Sequence, residues 1–159
     1  MQSCGEANWE YSHTLYTFVE KHGDVLDAIL KDKLKEGSYF YVHGGVDGDD
    51  RNNIRAIVEK HDNAVILASM GTFSTGINIK RLHNLVIVSP VKSIIRVLQS
   101  IGRGLRKGDG KDKLMVYDLA DDLANSKTKK NFAYKHFVNR LEIYSREQFP
   151  YTITTVPIE

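Results

Sequence analysis

Hydrophobic positions along the chain follow two alternating rhythms. Short apolar runs, rich in β-branched and aromatic residues, read as buried strands: Thr14–Val19 (TLYTFV), Ser38–His43 (SYFYVH), Ala64–Ser69 (AVILAS), Leu85–Ser89 (LVIVS) and Lys113–Leu119 (KLMVYDL). Between them, apolar residues recur every three or four positions. Gly23–Glu36 places Val25, Leu26, Ile29, Leu30 and Leu34 on one helical face, with Gly37 as the stop. Asp49–His61 repeats the pattern, with Ile54, Ile57 and Val58 inward and Asp49 as the cap. Pro90 closes the fourth strand, and Ser93 caps a helix running to about Arg106. Lys127–Arg146 has a helical period, and Tyr151–Val156 reads as a last strand or an extended tail.

Strands that alternate with helices predict an α/β domain with a mostly parallel sheet, covered on both faces. Ligands of such sheets bind beyond the carboxyl ends of the strands. That places Met70–Gly76, directly after AVILAS, at the functional edge.

Composition narrows the class. The 159 residues suffice for one domain with a real core, and 42% apolar with 26% charged is a globular balance. No apolar run is long enough to span a bilayer, and MQSCGEANWEY lacks the pattern of a secretory leader, so a membrane partner is not expected. A single cysteine, Cys4, excludes an internal disulfide and a cysteine-based zinc site. No metal ligand set is expected, and a reducing cytoplasm is the expected location. The net charge is only +2, yet Lys92–Lys113 carries seven basic residues against two acidic ones, and Lys127–Arg140 five against none. A basic face suggests a polyanionic partner; a run such as 127–140 alone is also what a solvated helix surface looks like.

The stretch LQSIGRGLRK sharpens the question. On a helical wheel of about 100° per residue, Ile94, Leu98, Ile101 and Leu105 share a stripe about 60° wide. Arg96, Gln99, Arg103 and Arg106 share about 80° on the opposite side. Planar, always-charged guanidinium forks suit phosphate oxygens. Gly102 and Gly104 cost the helix stability, so they are expected to admit another backbone or a nucleotide. The competing reading is an amphipathic helix with a basic solvent face. GLRKGDGK imitates a phosphate loop, but five residues separate Gly104 from Gly110 and Asp112 follows Lys111, so GxxxxGK[ST] is not matched. The segment ASMGTFSTGINIKRLH carries Ser69, Thr72, Ser74, Thr75, Gly71 and Gly76. Such a stretch suits phosphate oxygens, or is a plain surface loop.

Together these two stretches resemble a known family. ASMGTFSTGINIKRLHNLVIV is similar to motif V of superfamily 2 helicases, and QSIGRGLRK to their motif VI, Q-x-x-G-R-x-x-R. Order and spacing agree, and the likeness is greatest to the phage UvsW-type recombination and repair helicases. The resemblance implies a RecA-like, three-layer α/β/α domain over residues 14–159, preceded by an extension or linker over 1–13. It implies that Arg106 acts as an arginine finger on ATP, with Arg103 beside it on the phosphates. Gln99, Gly76 and Asn78 would complete the nucleotide contacts. Ser69, Thr72 and Thr75, with Arg51 and Arg96, would hold the DNA backbone, and His22 falls in the motif IV region.

The chain has neither a GKT-type loop nor a DExx box. It is therefore expected to be the C-terminal half of a two-domain motor, binding ATP and Mg2+ only with an N-terminal RecA-like partner domain and inactive alone. If phage-encoded, it would work in the host cytoplasm. Two other readings stay open: a stand-alone nucleic-acid binding or strand-annealing module, and a structural domain that only docks a partner.

Overall fold

The computed structural model describes residues 13–18, 22–34, 39–61, 63–76, 79–107, 111–122 and 131–157. Their elements are β1 (His13–Phe18), α1 (Gly23–Lys33), β2 (Tyr39–Val42), α2 (Gly48–Val58), β3 (Val65–Ser69), α3 (Met70–Gly76), β4 (Leu82–Ile87), α4 (Ile94–Gly104), β5 (Met115–Asp118) and α5 (Phe132–Arg146). The five strands form one parallel sheet in the order β2-β3-β1-β4-β5. Of the expected extension over residues 1–13, residues 1–12 lie outside the described residues and His13 opens β1. No described helix is long and apolar enough to cross a membrane.

Chain handedness builds the layers. The β1-to-β2 connection runs one way across the sheet; the next three run the other way. With right-handed crossovers, α1 must lie on one face and α2, α3 and α4 on the other. The contacts agree. Val58 of α2, Phe73 of α3 and Val97 and Ile101 of α4 share a core with Val42, Ile66, Ala68, Leu85 and Ile87. Tyr39 and Tyr41 alternate with those strand residues and donate to Asp27 and Asp24 of α1, at 2.9 and 3.4 Å.

Those tyrosine bonds roll α1 about its axis. Leu26, Leu30 and Leu34 are half-buried, while Val25 and Ile29, expected inward, are 61% and 50% exposed. In α2 the cap is Asp47, which accepts from the Gly48 amide, rather than Asp49, and Ile57 turns outward. The segment after β3 is the short helix α3 rather than a loop: Ser69 Oγ accepts from the Thr72 amide at 3.2 Å and starts the turn. The fourth strand begins at Leu82, three residues before the apolar run suggests. Residues 151–157 are exposed and form no regular element. α5 begins at Phe132, where Asn131 Oδ1 accepts from the Tyr134 amide at 2.7 Å; residues 127–130 lie outside the described residues.

The main correction concerns α4. Its buried residues are Val97, Ser100, Ile101 and Gly104, so the face on the sheet is turned by about 80° from the Ile94–Leu98–Ile101–Leu105 stripe. Ile95 is 68% and Leu105 51% exposed. Small residues cause the turn. A Cβ on Gly104 would lie 2.6 Å from Leu114 Cδ2, and Ser100 Oγ donates to the Arg96 carbonyl at 2.8 Å while lying 3.3 Å from Met70 Sδ. Gly104 therefore serves a close approach by Leu114, whereas a Cβ on Gly102 would meet nothing within 4 Å.

One buried ion pair ties α5 to this assembly. Arg140, 1% exposed, donates from Nε and Nη2 to the two oxygens of Asp118, each at 2.7 Å. Its Nη1 donates to the Val91 carbonyl at 3.1 Å, and Tyr144 donates its hydroxyl to Asp118 at 2.9 Å. Burial, then the neighbouring carboxylate, raise the Tyr144 pKa well above its ordinary value. Urea denaturation of the chain tests three substitutions. Arg140→Met should lower stability by about 3–5 kcal/mol, because Asp118 is left buried and unpaired, while Tyr144→Phe should cost about 1 kcal/mol. Gly102→Ala should raise stability by about 0.5–1 kcal/mol, since the methyl meets open space.

Candidate nucleotide and nucleic-acid interface

The connection from β1 leaves toward one face of the sheet, while those from its neighbours β3 and β4 leave toward the other. A topological switch therefore flanks the carboxyl end of β1 on both sides, the position where parallel sheets open a crevice. His22, Ser69 and Ser89 sit there. His22 Nδ1 and Ser89 Oγ lie 3.3 Å apart and bridge the ends of β1 and β4. Ser89 is buried, although nothing in its sequence context marks it.

At the end of β3, the Ser69 and Thr72 hydroxyls are 2.6 Å apart, and Thr72 is 5% exposed. Both side chains shape the start of α3. Gly76 is the last residue of α3; the side chain of Thr75 and all of Asn78 lie outside the described residues.

α3 and α4 lie side by side and run the same way. Ser100 meets Met70, and three residues on in both helices Arg103 Nη1 donates to the Phe73 carbonyl at 3.0 Å. Arg103 is half-buried by this bond, which couples the two stretches that the sequence singles out. Arg106 follows the last turn of α4, held by its amide to the Arg103 carbonyl at 3.3 Å, with its side chain exposed. Arg96 and Gln99 are exposed on the same helix. Sequence reasoning passes over Lys111, whose Nζ donates to the Gly104 carbonyl and, at 3.3 Å, to the Arg106 carbonyl. Burial lowers its pKa from the ordinary lysine value.

Arg51 stands apart from this group. Its Nε donates to the Val46 carbonyl at 2.8 Å and its Nη2 to the Gly44 carbonyl at 3.3 Å, bracing the turn between β2 and α2. The structure thus brings together Ser69, Thr72 and Arg103 through α3, with Arg106, Gln99 and Arg96 along α4. Chemically this is a face of guanidinium and amide donors, fitted to receive an anion. Among the described residues no three His, Cys, Asp or Glu side chains come together as a metal site.

Known proteins resemble this chain in sequence and fold. Residues 8–108, more than half of the chain, match the helicase conserved C-terminal domain family. The chain is 39% identical over 144 residues to the ATP-dependent DNA helicase UvsW of Enterobacteria phage T4, covering 85% of this chain and 28% of that protein. The crystal structure of T4 UvsW superposes with a TM-score of 0.72 at 37% identity, over 91% of this chain and 31% of that one. Domain 2 of the DEAD-box helicase Mss116p, solved on an RNA duplex, shares the fold with a TM-score of 0.58 at 18% identity, over 72% of this chain and 44% of that one. The chain thus spans under a third of the length of its UvsW relative, and its three-layer α/β/α architecture is the RecA-like one of helicase C-terminal domains. With motifs V and VI in order on α3 and α4, the chain belongs to the superfamily 2 helicases as their conserved C-terminal domain.

Proposed function

We propose that this chain is the second motor domain of an ATP-dependent DNA translocase that acts on branched or duplex DNA in recombination and repair. One observation carries the reading: Arg103 fastens α4 to α3 through the Phe73 carbonyl, while Arg106, just past the helix end, points its charge outward. Arg106 then reaches across a cleft and neutralises charge that develops on the transferred phosphoryl group. On this reading Arg103 stays beside Arg106 on the phosphates, Gln99, Gly76 and Asn78 complete the nucleotide contacts, and Ser69, Thr72, Thr75, Arg96 and Arg51 hold the DNA backbone.

ATP and Mg2+ enter only with an N-terminal RecA-like domain, on the same chain or another. That domain supplies the phosphate loop and the acidic metal ligands absent from this sequence. This chain contributes cations and hydroxyls alone. Its phage relative supports a place in the host cytoplasm.

Joined to such an N-terminal domain, the chain should lose about 10³–10⁵-fold in DNA-stimulated ATP turnover on Arg106→Ala. A loss of only a few-fold would sink the finger assignment. If Arg106→Ala leaves that turnover intact while the isolated chain binds and anneals strands by itself, the stand-alone binding module replaces the motor reading. Arg96→Ala should weaken DNA binding uniformly across sequences and reduce the slope of log affinity against log salt by about one. An unchanged slope removes Arg96 from the DNA contact.

A further inference from the structure

The exposed Arg106 sits on a main chain that is gripped from below. A helix leaves its last carbonyls without internal partners, and a cation near that end is favoured by the helix dipole. α4 ends at Gly104, and the following residues fold into a short turn: the Leu105 amide donates to the Ile101 carbonyl at 2.8 Å and the Arg106 amide to the Arg103 carbonyl at 3.3 Å. Lys111 then reaches back and donates to the Gly104 and Arg106 carbonyls. On the buried side Gly104 rests against Leu114. Both grips come from the short segment 111–114 that leads into β5, so the end of α4 is fastened to the sheet by a route independent of Arg103.

We propose that Lys111 is a positioning residue for Arg106, holding the main-chain carbonyls on either side of Leu105 so that the guanidinium is presented from a fixed backbone. The inference rests on the finger reading above and deepens it. A group that acts across a cleft must be held to within about half an ångström of its productive place. Arg106 has a long side chain and an exposed helix end to overcome. Lysine suits the task because its three donors can serve two carbonyls at once, and an ammonium leaves no unpaired acceptor behind. The last lysine of the phosphate-loop-like run GLRKGDGK thus finds a use other than phosphate binding: Lys111 is spent on the carbonyls of the arginine turn.

The test has two arms, each comparing Lys111→Met, Lys111→Arg and the control Lys113→Met. In the isolated chain, amide hydrogen exchange at Leu105 and Arg106 should quicken about tenfold in Lys111→Met, with the amides of Ile66 and Ile87 and the melting temperature little changed. In the chain joined to an N-terminal motor domain, kcat for ATP should fall about tenfold with KM nearly constant, and Lys111→Arg should recover part of the loss. Unchanged exchange at Leu105 and Arg106 overturns the grip itself. Faster exchange with unchanged kcat overturns the positioning role. A parallel Arg106→Ala that leaves kcat intact overturns the finger reading instead, so the two failures are told apart.

Discussion

How closely α4 can approach the sheet governs what the rest of this domain presents. The approach is set by two residues with little or no side chain, Ser100 and Gly104, on the buried face of the helix. Leu114 fills the space that a side chain on Gly104 would need, and Met70 lies against Ser100. Close packing of this kind fixes rotation as well as distance, because a helix can roll only as far as its bulk permits. The roll in turn decides that Arg96, Gln99 and Arg106 face outward and that Arg103 meets the Phe73 carbonyl.

The buried ion pair works on the other end of the same helix. Arg140 spends one guanidinium nitrogen on the Val91 carbonyl, two residues ahead of Ser93, which caps α4. An ion pair of this kind adds little net stability over a well-packed apolar substitute, but its directional bonds specify a single arrangement. α5, which the sequence presents as a basic surface helix, therefore turns its most buried cation inward and uses it to locate the loop that launches α4. Motif positions and scaffold are joined by hydrogen bonds to main-chain carbonyls at Val91, Phe73, Gly104 and Arg106.

The order of elements and the parallel sheet were legible because apolar runs of strand length are bounded by clear turn signals. The motif pair was legible because its residue types and spacing serve one chemistry. What escaped was rotation. Hydropathy places Ile94, Leu98 and Leu105 on a buried stripe, yet the real contact surface includes a serine and a glycine, which carry no hydrophobic signal. The same blindness applies to α1, where two tyrosine hydroxyls on β2 draw Asp24 and Asp27 toward the sheet and leave Val25 and Ile29 outside. The contacts of Lys111 and Ser89 could not be read from sequence, since their partners are main-chain atoms or residues far along the chain. Arg140 had a faint signal: with Tyr144 it forms an i, i+4 pair on α5, and Asp118 ends an otherwise apolar strand.

The place of β1 in the middle of the sheet has a mechanical meaning. It is the earliest strand among the described residues, yet it pairs with β3 on one side and β4 on the other, Thr14 aligning with both Val65 and Asn84. Both ladders are parallel, so tension applied along the strand loads their bonds in shear, many at once, instead of unzipping an edge one bond at a time. A pull on the chain at His13 is thereby shared between two neighbouring strands.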